Sequence, residues 1–455
     1  MFIRKINTFL KDWSESSYRK PLLIRGARQV GKTTAIRMFS QNFDVYIELN
    51  LELEADRDLF AKESDVKRLY NLILLAKRIG NSDGKVLLFI DEIQYSAAAI
   101  ASLRYFYELM PELYVIAAGS LLEVYLNKSR IGMPVGRISS VWMLPLDFEE
   151  FLEAAGQDAL LASLREIPFQ NYLLPVLRQW FRQYALIGGM PEVVKIYLET
   201  NDISKVRRLQ IDLLSAYDDD MVKYAQTKEQ ADIIRFVWKH LPLEVCKQVS
   251  FSGFGSSEFR TEPIRSALRM LELCGLINLI YPYTAYELPA LENTSKRPKL
   301  LMLDTGLLNY LANIQMEYFG TSDLNSIYKG IAMEHLIGQA LISIGSDSLH
   351  PLGYWVRAKT GSSAEIDYLF RYGTKLIPLE VKAGKSGTLR SLRVFMEDCP
   401  HNLAIRIYDG DLVIQELSRQ NGTKYTLLNL PLPLISRLPE YVNSWFSPQG
   451  LTFSR

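Results

Sequence analysis

Gly26-Ala27-Arg28-Gln29-Val30-Gly31-Lys32-Thr33 decides how the first half of the chain reads. A short apolar run, Leu22-Leu23-Ile24, stops just before it, and Thr33 to Phe39 carries Ile36 and Phe39 on one helical face. Strand, glycine-rich turn and helix, in that order, are the setting in which this spacing of glycines, lysine and threonine has chemical meaning. Glycines let backbone N–H groups approach phosphate oxygens, and the helix N-terminus adds its positive end. Lys32 then neutralises the outer phosphates of ATP, and the Thr33 hydroxyl is placed for Mg2+. Expected nucleotide contacts run through Gly26, Ala27, Arg28, Gln29, Val30, Gly31, Lys32, Thr33 and Thr34.

A second element completes the site. Val86-Leu87-Leu88-Phe89-Ile90-Asp91-Glu92 is a continuous apolar run closed by two carboxylates. Such a run fits a central parallel strand buried on both faces. Asp91 would hold Mg2+ through water, and Glu92 would polarise the attacking water. A glycine-rich turn with a surface lysine, or an acidic pair capping a helix, arises often enough alone. Both together, in this order, point to hydrolysis.

A third run, Leu113 to Ala118, ends in Gly119-Ser120. Ser120 reads either as a sensor of the γ-phosphate or lytic water, or as the N-cap of a helix from Leu121. Arg137 follows a loop with Gly132 and Pro134. It reads either as an arginine finger on a neighbouring subunit's ATP, which would make the chain a homo-oligomer, or as a solvated surface arginine.

At 455 residues the chain is too long for one ordinary core, so two or three domains are expected. Apolar residues at 48% and charged residues at 23% are ordinary globular usage, and a net charge of +1 gives no global basic field for nucleic acid. Cys246, Cys274 and Cys399 lie too far apart for a disulfide framework or zinc spacing, and the histidines form no cluster. The N-terminus, with Arg4, Lys5, Lys11 and Asp12, is not a secretion signal, and no apolar run nears the ~20 residues of a membrane span. A cytoplasmic protein without membrane contact is the expectation.

Several stretches together resemble one group. Gly26–Thr33, Ile90-Asp91-Glu92-Ile93-Gln94, Gly119-Ser120, Gly136-Arg137, Pro145 to Phe151 and Gly188-Gly189-Met190-Pro191 look like the prokaryotic AAA+-like ATPases that bear a C-terminal domain of uncharacterised function. The resemblance implies an ASCE-type P-loop sheet, with strands ordered fifth, first, fourth, third, second, and a helical lid. Gly188-Gly189 would then be a backbone turn between core and lid, or an ordinary interhelical loop.

Pro191 to Tyr310 is mostly helical in period. Asp218-Asp219-Asp220 reads as a solvated helix face, because consecutive helical residues point in different directions. Thr261-Glu262-Pro263 starts a helix that leads into a strand at Ile277 to Ile280, and this resembles the recognition helix and wing of a winged-helix module. Arg260, Arg265 and Arg269 give it modest basic character.

Near the C-terminus, Glu365 to Phe370 alternates, with Glu365 and Asp367 on one face and Ile366, Tyr368 and Phe370 on the other. A four-residue turn, Arg371 to Thr374, leads to a strand at Lys375 to Lys382. In that register Phe370 pairs with Lys375, and Asp367 is the diagonal same-face neighbour of Glu380, roughly 7–8 Å away at Cα. Glu380 and Lys382 share that face. The pattern resembles the PD-(D/E)xK nuclease fold, and Glu334, on an expected helix, resembles that fold's first-motif glutamate. The resemblance implies Mg2+ held by Glu334, Asp367 and Glu380, with Lys382 orienting water or stabilising phosphorane charge. Arg371, Lys375, Lys385, Arg390 and Arg393 would supply a local basic patch for a phosphodiester backbone. A plain cross-strand ion pair is the other reading of the same residues. Ala404 to Tyr408 and Tyr425 to Leu432 read as closing strands and an edge.

The expected architecture is α/β. It comprises a P-loop ATPase core over 1–190, a helical lid and winged-helix-like region over 191–325, and a restriction-endonuclease-like domain over 326–455. Two outputs fit. One is ATP-driven DNA processing by a C-terminal nuclease. The other is an ATP-dependent switch whose C-terminal domain binds a protein or DNA partner without cutting.

Overall fold

The computed structural model describes residues 2–80, 83–120, 122–129, 136–223, 225, 227–314, 330–345, 351–358, 364–384 and 388–446. Leu121, Gly132, Pro134 and Lys385 lie outside them. The chain forms two compact units, one of residues 1–145 with 273–276, the other of 146–272 with 277–455.

The first unit is built on five strands: β1 (Leu22–Arg25), β2 (Val45–Asn50), β3 (Val86–Asp91), β4 (Tyr114–Gly119) and β5 (Ser139–Trp142). They lie in the order β5-β1-β4-β3-β2, all parallel, which is the order the resemblance implied. All six residues of β3 are buried, as a strand covered on both faces requires. One covering layer packs Leu69, Ile73, Leu103 and Phe106 against Leu88 and Ile90. Because the strands are parallel, their C-terminal ends share one edge, where loops from β1, β3 and β4 meet.

The second unit opens with helices. Asp147 and Glu150 form a reciprocal capping box at the start of the helix Phe148–Ala154, which explains the acidic text there without a ligand. Gly188 and Gly189 sit in a turn tied down by Asp304. The Gly189 N–H donates to Asp304 Oδ2 at 2.7 Å, and Leu146 N–H donates to Gly189 O at 2.7 Å. Gly188 has φ +80°, and a Cβ there would lie 2.1 Å from Asp304 Oδ1, so glycine is required. The acidic triplet is not wholly solvated. Asp220 is buried and pairs with Lys223 at 3.2 Å, whereas Asp218 pairs with Arg235.

The helix Thr261–Leu273 leads to β6 (Ile277–Ile280) and β7 (Pro282–Tyr283). A further strand, β8 (Lys299–Met302), pairs antiparallel with β6. After these come β9 (Gly353–Val356), β10 (Glu365–Tyr372), β11 (Lys375–Lys382), β12 (Leu403–Tyr408), β13 (Val413–Ser418) and β14 (Lys424–Pro431). Seven strands form one sheet, β13-β14-β12-β11-β10-β9-β7. Two expectations change here. The stretches read as closing strands and an edge, β12 and β14, are both internal, and the edge on that side is β13, most of whose residues are exposed. The β10–β11 turn is also shorter than expected, since Tyr372 pairs with Lys375 and Tyr368 with Leu379. The register moves by two residues, an even number, so every side chain keeps its expected face. Extended by one residue, this register sets Asp367 opposite Glu380 rather than diagonal to it. The alternation in β10 also fails after Tyr368. Leu369 is buried and Phe370 half-buried, with an irregular register against β9 between Ile366 and Leu369.

His335, on the helix Ile331–Ile344, fastens that helix to β8. The Met302 N–H donates to His335 Nε2 at 3.0 Å, and Thr305 Oγ1 lies 3.0 Å from Nδ1 while bonding Gln339 Oε1 at 2.7 Å. Nε2 also lies 3.1 Å from the Met302 carbonyl oxygen, so the ring is held at both nitrogens whichever of them carries the proton. Burial lowers the His335 pKa from 6.5 to about 4. Between those values the unfolded chain takes up a proton that the folded chain refuses, so stability falls as pH drops through the window. The expected loss is about 3 kcal/mol. Urea unfolding at several pH values should show it, and His335→Gln should flatten that part of the profile. An unchanged profile in the variant would remove His335 as its source.

Candidate functional site

The nucleotide site is assembled at the C-terminal edge of the parallel sheet. Gly26, with φ +145°, ends β1, and a Cβ there would lie 2.2 Å from the Met143 carbonyl oxygen. Only glycine lets the loop turn so close to that backbone. Gly31, at φ +98°, is the N-cap of the helix Lys32–Phe39. Arg4 holds the loop from the N-terminal side, donating to Val30 O at 3.0 Å and to Leu144 O at 2.7 Å. No sequence motif marks this arginine, which acts on the loop from 26 positions away.

Lys32 is 7% exposed, and its ammonium donates to the Gly26 and Ala27 carbonyls, at 2.9 Å each. Burial lowers its pKa to about 8 against the pull of Glu92 and Asp91. A phosphate beside it would supply the missing counter-charge. Thr33 Oγ1 donates to Asp91 Oδ2 at 2.7 Å, across the 58 positions that separate β1's loop from the end of β3. Burial raises the Asp91 pKa, partly offset by the Thr33 hydrogen bond. A hydroxyl and a carboxylate in contact are the hard oxygen donors that Mg2+ takes.

Glu92 follows in the left-handed region, φ +51°, which turns its side chain away from the strand's alternation. Its Oε2 accepts from Gln94 Nε2 at 2.5 Å and, at a long 3.5 Å, from Ser120 Oγ. Ser120 directly follows β4, the strand that lies between β1 and β3, so strand order brings it to Glu92. Gln94 is 2% exposed and crowds Gly119, where a Cβ would lie 2.6 Å from Gln94 Oε1. It stands in the Ile90–Gln94 stretch, yet only the fold reveals that it holds Glu92. Arg137 is placed otherwise. Its Nε bonds Glu108 Oε1 at 2.8 Å on the outer helix Ala97–Leu109, with 46% of its side chain exposed.

The second group of expected residues lies in the second unit. Lys382 Nζ donates to Glu380 Oε1 at 2.6 Å, and Glu380 Oε2 is buried without a hydrogen-bond partner. Asp367 Oδ2 accepts from the Val381 N–H at 2.8 Å, which ties β10 to β11 beside Glu380. Glu334 meets Asp367 on a shared partner. Its Oε1 lies 2.9 Å from Lys299 Nζ, which also reaches Glu365 Oε1 at 2.5 Å and Asp367 Oδ1 at 3.8 Å. Lys299 is 2% exposed. Burial alone would lower its pKa, but Glu334, Asp367 and Glu365 raise it above the ordinary lysine value. Burial pushes the Glu334, Asp367 and Glu380 carboxyls up, opposed by the two lysines. Among the described residues, no three His, Cys, Asp or Glu side chains are grouped to hold a metal ion. Glu334 and Asp367 thus share Lys299, while Glu380, next to Asp367, pairs with Lys382. Of the basic patch, Arg371, Arg390 and Arg393 are exposed.

Three segments of the chain match known families. Residues 18–152 match the AAA domain family, residues 178–318 a domain of unknown function (DUF8612), and residues 329–431 another (DUF4143). The first segment is thus of the AAA-type P-loop ATPase class. No curated protein matches the chain. Among solved structures, the chain is similar to a Walker-type ATPase of Pyrococcus abyssi, at 17% identity and a TM-score of 0.44, over 69% of this chain and 96% of that one. It is similar to the Aeropyrum pernix ORC1 protein, solved in complex with DNA, at 12% identity and a TM-score of 0.27, over 68% and 90%. The Aeropyrum pernix ORC2 protein, solved as ADPNP–ADP complexes, gives 11% identity and a TM-score of 0.29, over 66% and 89%. No helix among the described residues is long and apolar enough to cross a membrane.

Proposed function

We propose that this chain hydrolyses ATP in a Mg2+-dependent reaction and uses the cycle to switch a C-terminal domain that binds a protein or DNA partner without cutting it. The contact that carries the first half is Thr33 Oγ1 to Asp91 Oδ2 at 2.7 Å, with Glu92 adjacent. Gly26 to Gly31 would cradle the phosphates with backbone N–H groups, and Lys32 would exchange its two carbonyl partners for phosphate oxygens. When bound, Mg2+ supplies charge neutralisation on the phosphates, and Thr33 and Asp91 are the residues to hold it. Glu92 would take the proton of the attacking water, held in place by Gln94, with Ser120 beside it reporting the state of the γ-phosphate.

Lys32→Ala should weaken ATP binding about ten- to hundred-fold, the cost of one charge-assisted contact. Titration with a fluorescent ATP analogue measures it. Affinity equal to wild type would sink the assignment. Within this reading Arg137 serves as a surface residue, with Glu108 as its partner.

The non-cutting output is favoured by one observation, a buried lysine ammonium, Lys299, held among Glu334, Glu365 and Asp367. Incubating the full chain with single-stranded, duplex and branched DNA, with Mg2+ and with or without ATP, should leave every substrate intact. Cleavage that Asp367→Ala abolishes would reverse this half and restore the nuclease reading.

A further inference from the structure

We infer that the ammonium of Lys299 is the resident cation of the Glu334–Glu365–Asp367 cluster and stands where the nuclease-fold resemblance places a divalent metal. The side chain comes from β8, a strand of the two-stranded sheet with β6, where Lys299 pairs with Ile280. That pairing fixes its backbone, and its ammonium lies over the rings of Tyr354 and Tyr368, whose centroids are 5.2 and 5.9 Å from Nζ. Its head meets Glu334 at 2.9 Å and Glu365 at 2.5 Å, with Asp367 at 3.8 Å. Glu365 is engaged a second time by Gln248 Nε2 at 2.6 Å.

A divalent ion would need several oxygens at about 2.0–2.6 Å converging on one point. Two of the cluster's carboxylates already spend an oxygen on the ammonium. A second cation beside it would meet like-charge repulsion at short range in a poorly solvated place. Removing the ammonium leaves three carboxylates facing one another around the space of a terminal cation, with the unpartnered Glu380 Oε2 on the next strand. Such a group is destabilised until a cation returns. The domain would thus keep the carboxylates and the strand lysine of a metal-dependent nuclease while compensating them internally. The inference concerns this cluster alone and is independent of ATP hydrolysis at Lys32 and Thr33. It deepens the non-cutting reading.

The test is thermal melting of the full chain with and without millimolar Mn2+, in nucleotide-free buffer. All samples carry Asp91→Asn, so that the P-loop adds no metal response. Four proteins are compared: this parent, Asp367→Asn, Lys299→Met, and Lys299→Met with Asp367→Asn. The expected result is no Mn2+ effect in the parent, and a lowered melting temperature in Lys299→Met that Mn2+ raises by at least about 4 °C. Adding Asp367→Asn should abolish that rise. If Lys299→Met does not fold in metal-free buffer, recovery of its circular dichroism on refolding with Mn2+ supports the inference equally, and failure to recover counts against it. A rise in the parent that Asp367→Asn removes would overturn the inference, and so would a Lys299→Met protein indifferent to Mn2+. DNA cleavage by wild type would instead defeat the proposed non-cutting output, so the two failures are distinguishable.

Discussion

Glu92→Gln is expected to leave ATP bound and to slow phosphate release by at least about a hundred-fold, the usual contribution of a positioned base. The substitution is nearly isosteric. Glutamine keeps the length and planarity that let residue 92 lie between Gln94 and Ser120, and it tolerates the same φ of +51°. What it loses is basicity, because an amide oxygen does not accept a proton from water near neutral pH. Lys32, Thr33 and Asp91 stay in place, so binding energy is retained while the chemical step stalls. Phosphate release and retention of labelled ATP on the protein, measured side by side, separate the two effects. If the variant turns over at the wild-type rate, Glu92 is not the base and the proposed hydrolysis site loses its central residue.

The second large effect concerns the fold around Asp304. Gly306→Ala is expected to destabilise the second unit by about 3 kcal/mol or more. A Cβ at 306 would lie 1.9 Å from Ile187 O and 2.7 Å from Gly188 N, both backbone atoms. Neither belongs to a flexible side chain that rotates away, so the helices Leu174–Ile187 and Thr305–Leu311 would have to separate. Separation also strains the Asp304 carboxylate, which bonds the Gly189 N–H at 2.7 Å and the Leu307 N–H at 3.0 Å. Gly345→Ala is the control. Among the described residues its Cβ would meet only Leu341 O, at 3.4 Å, and the change should stay within about 1 kcal/mol. Urea unfolding of both variants decides the matter. Equal, mild losses would show that the Gly306 contact is not a tight one.

Much of the nucleotide site is legible in the sequence because its parts are local. A glycine-rich loop must sit between its strand and helix, and an acidic pair must end a buried strand. Those rules place Gly26 to Thr33, Asp91 and Glu92 before any contact is known. Arg4 and Gln94 are not legible in this way. One reaches the loop from a distant helix start, and the other acts by being packed under Gly119. In the C-terminal sheet, alternation places Asp367, Glu380 and Lys382 on one face. The turn is two residues shorter than its polar stretch suggests, yet a two-residue slip leaves faces unchanged, so the neighbourhood holds.

By itself, the sequence determined the phosphate loop, the carboxylates that answer it, the parallel strand order implied by the resemblance, and the side of β10 and β11 on which the acids lie. Apart from the strand order, which came from the resemblance, these follow from spacing along one segment, where backbone geometry translates position directly into direction. Only the tertiary structure decided what the acids face. Lys299 stands 35 positions before Glu334, in the region read from sequence as part of the middle domain, and nothing in Arg297-Pro298-Lys299-Leu300 marks it out. A buried charge takes its partner from whatever strand packs nearby, and that distance is set by the fold and not by the chain.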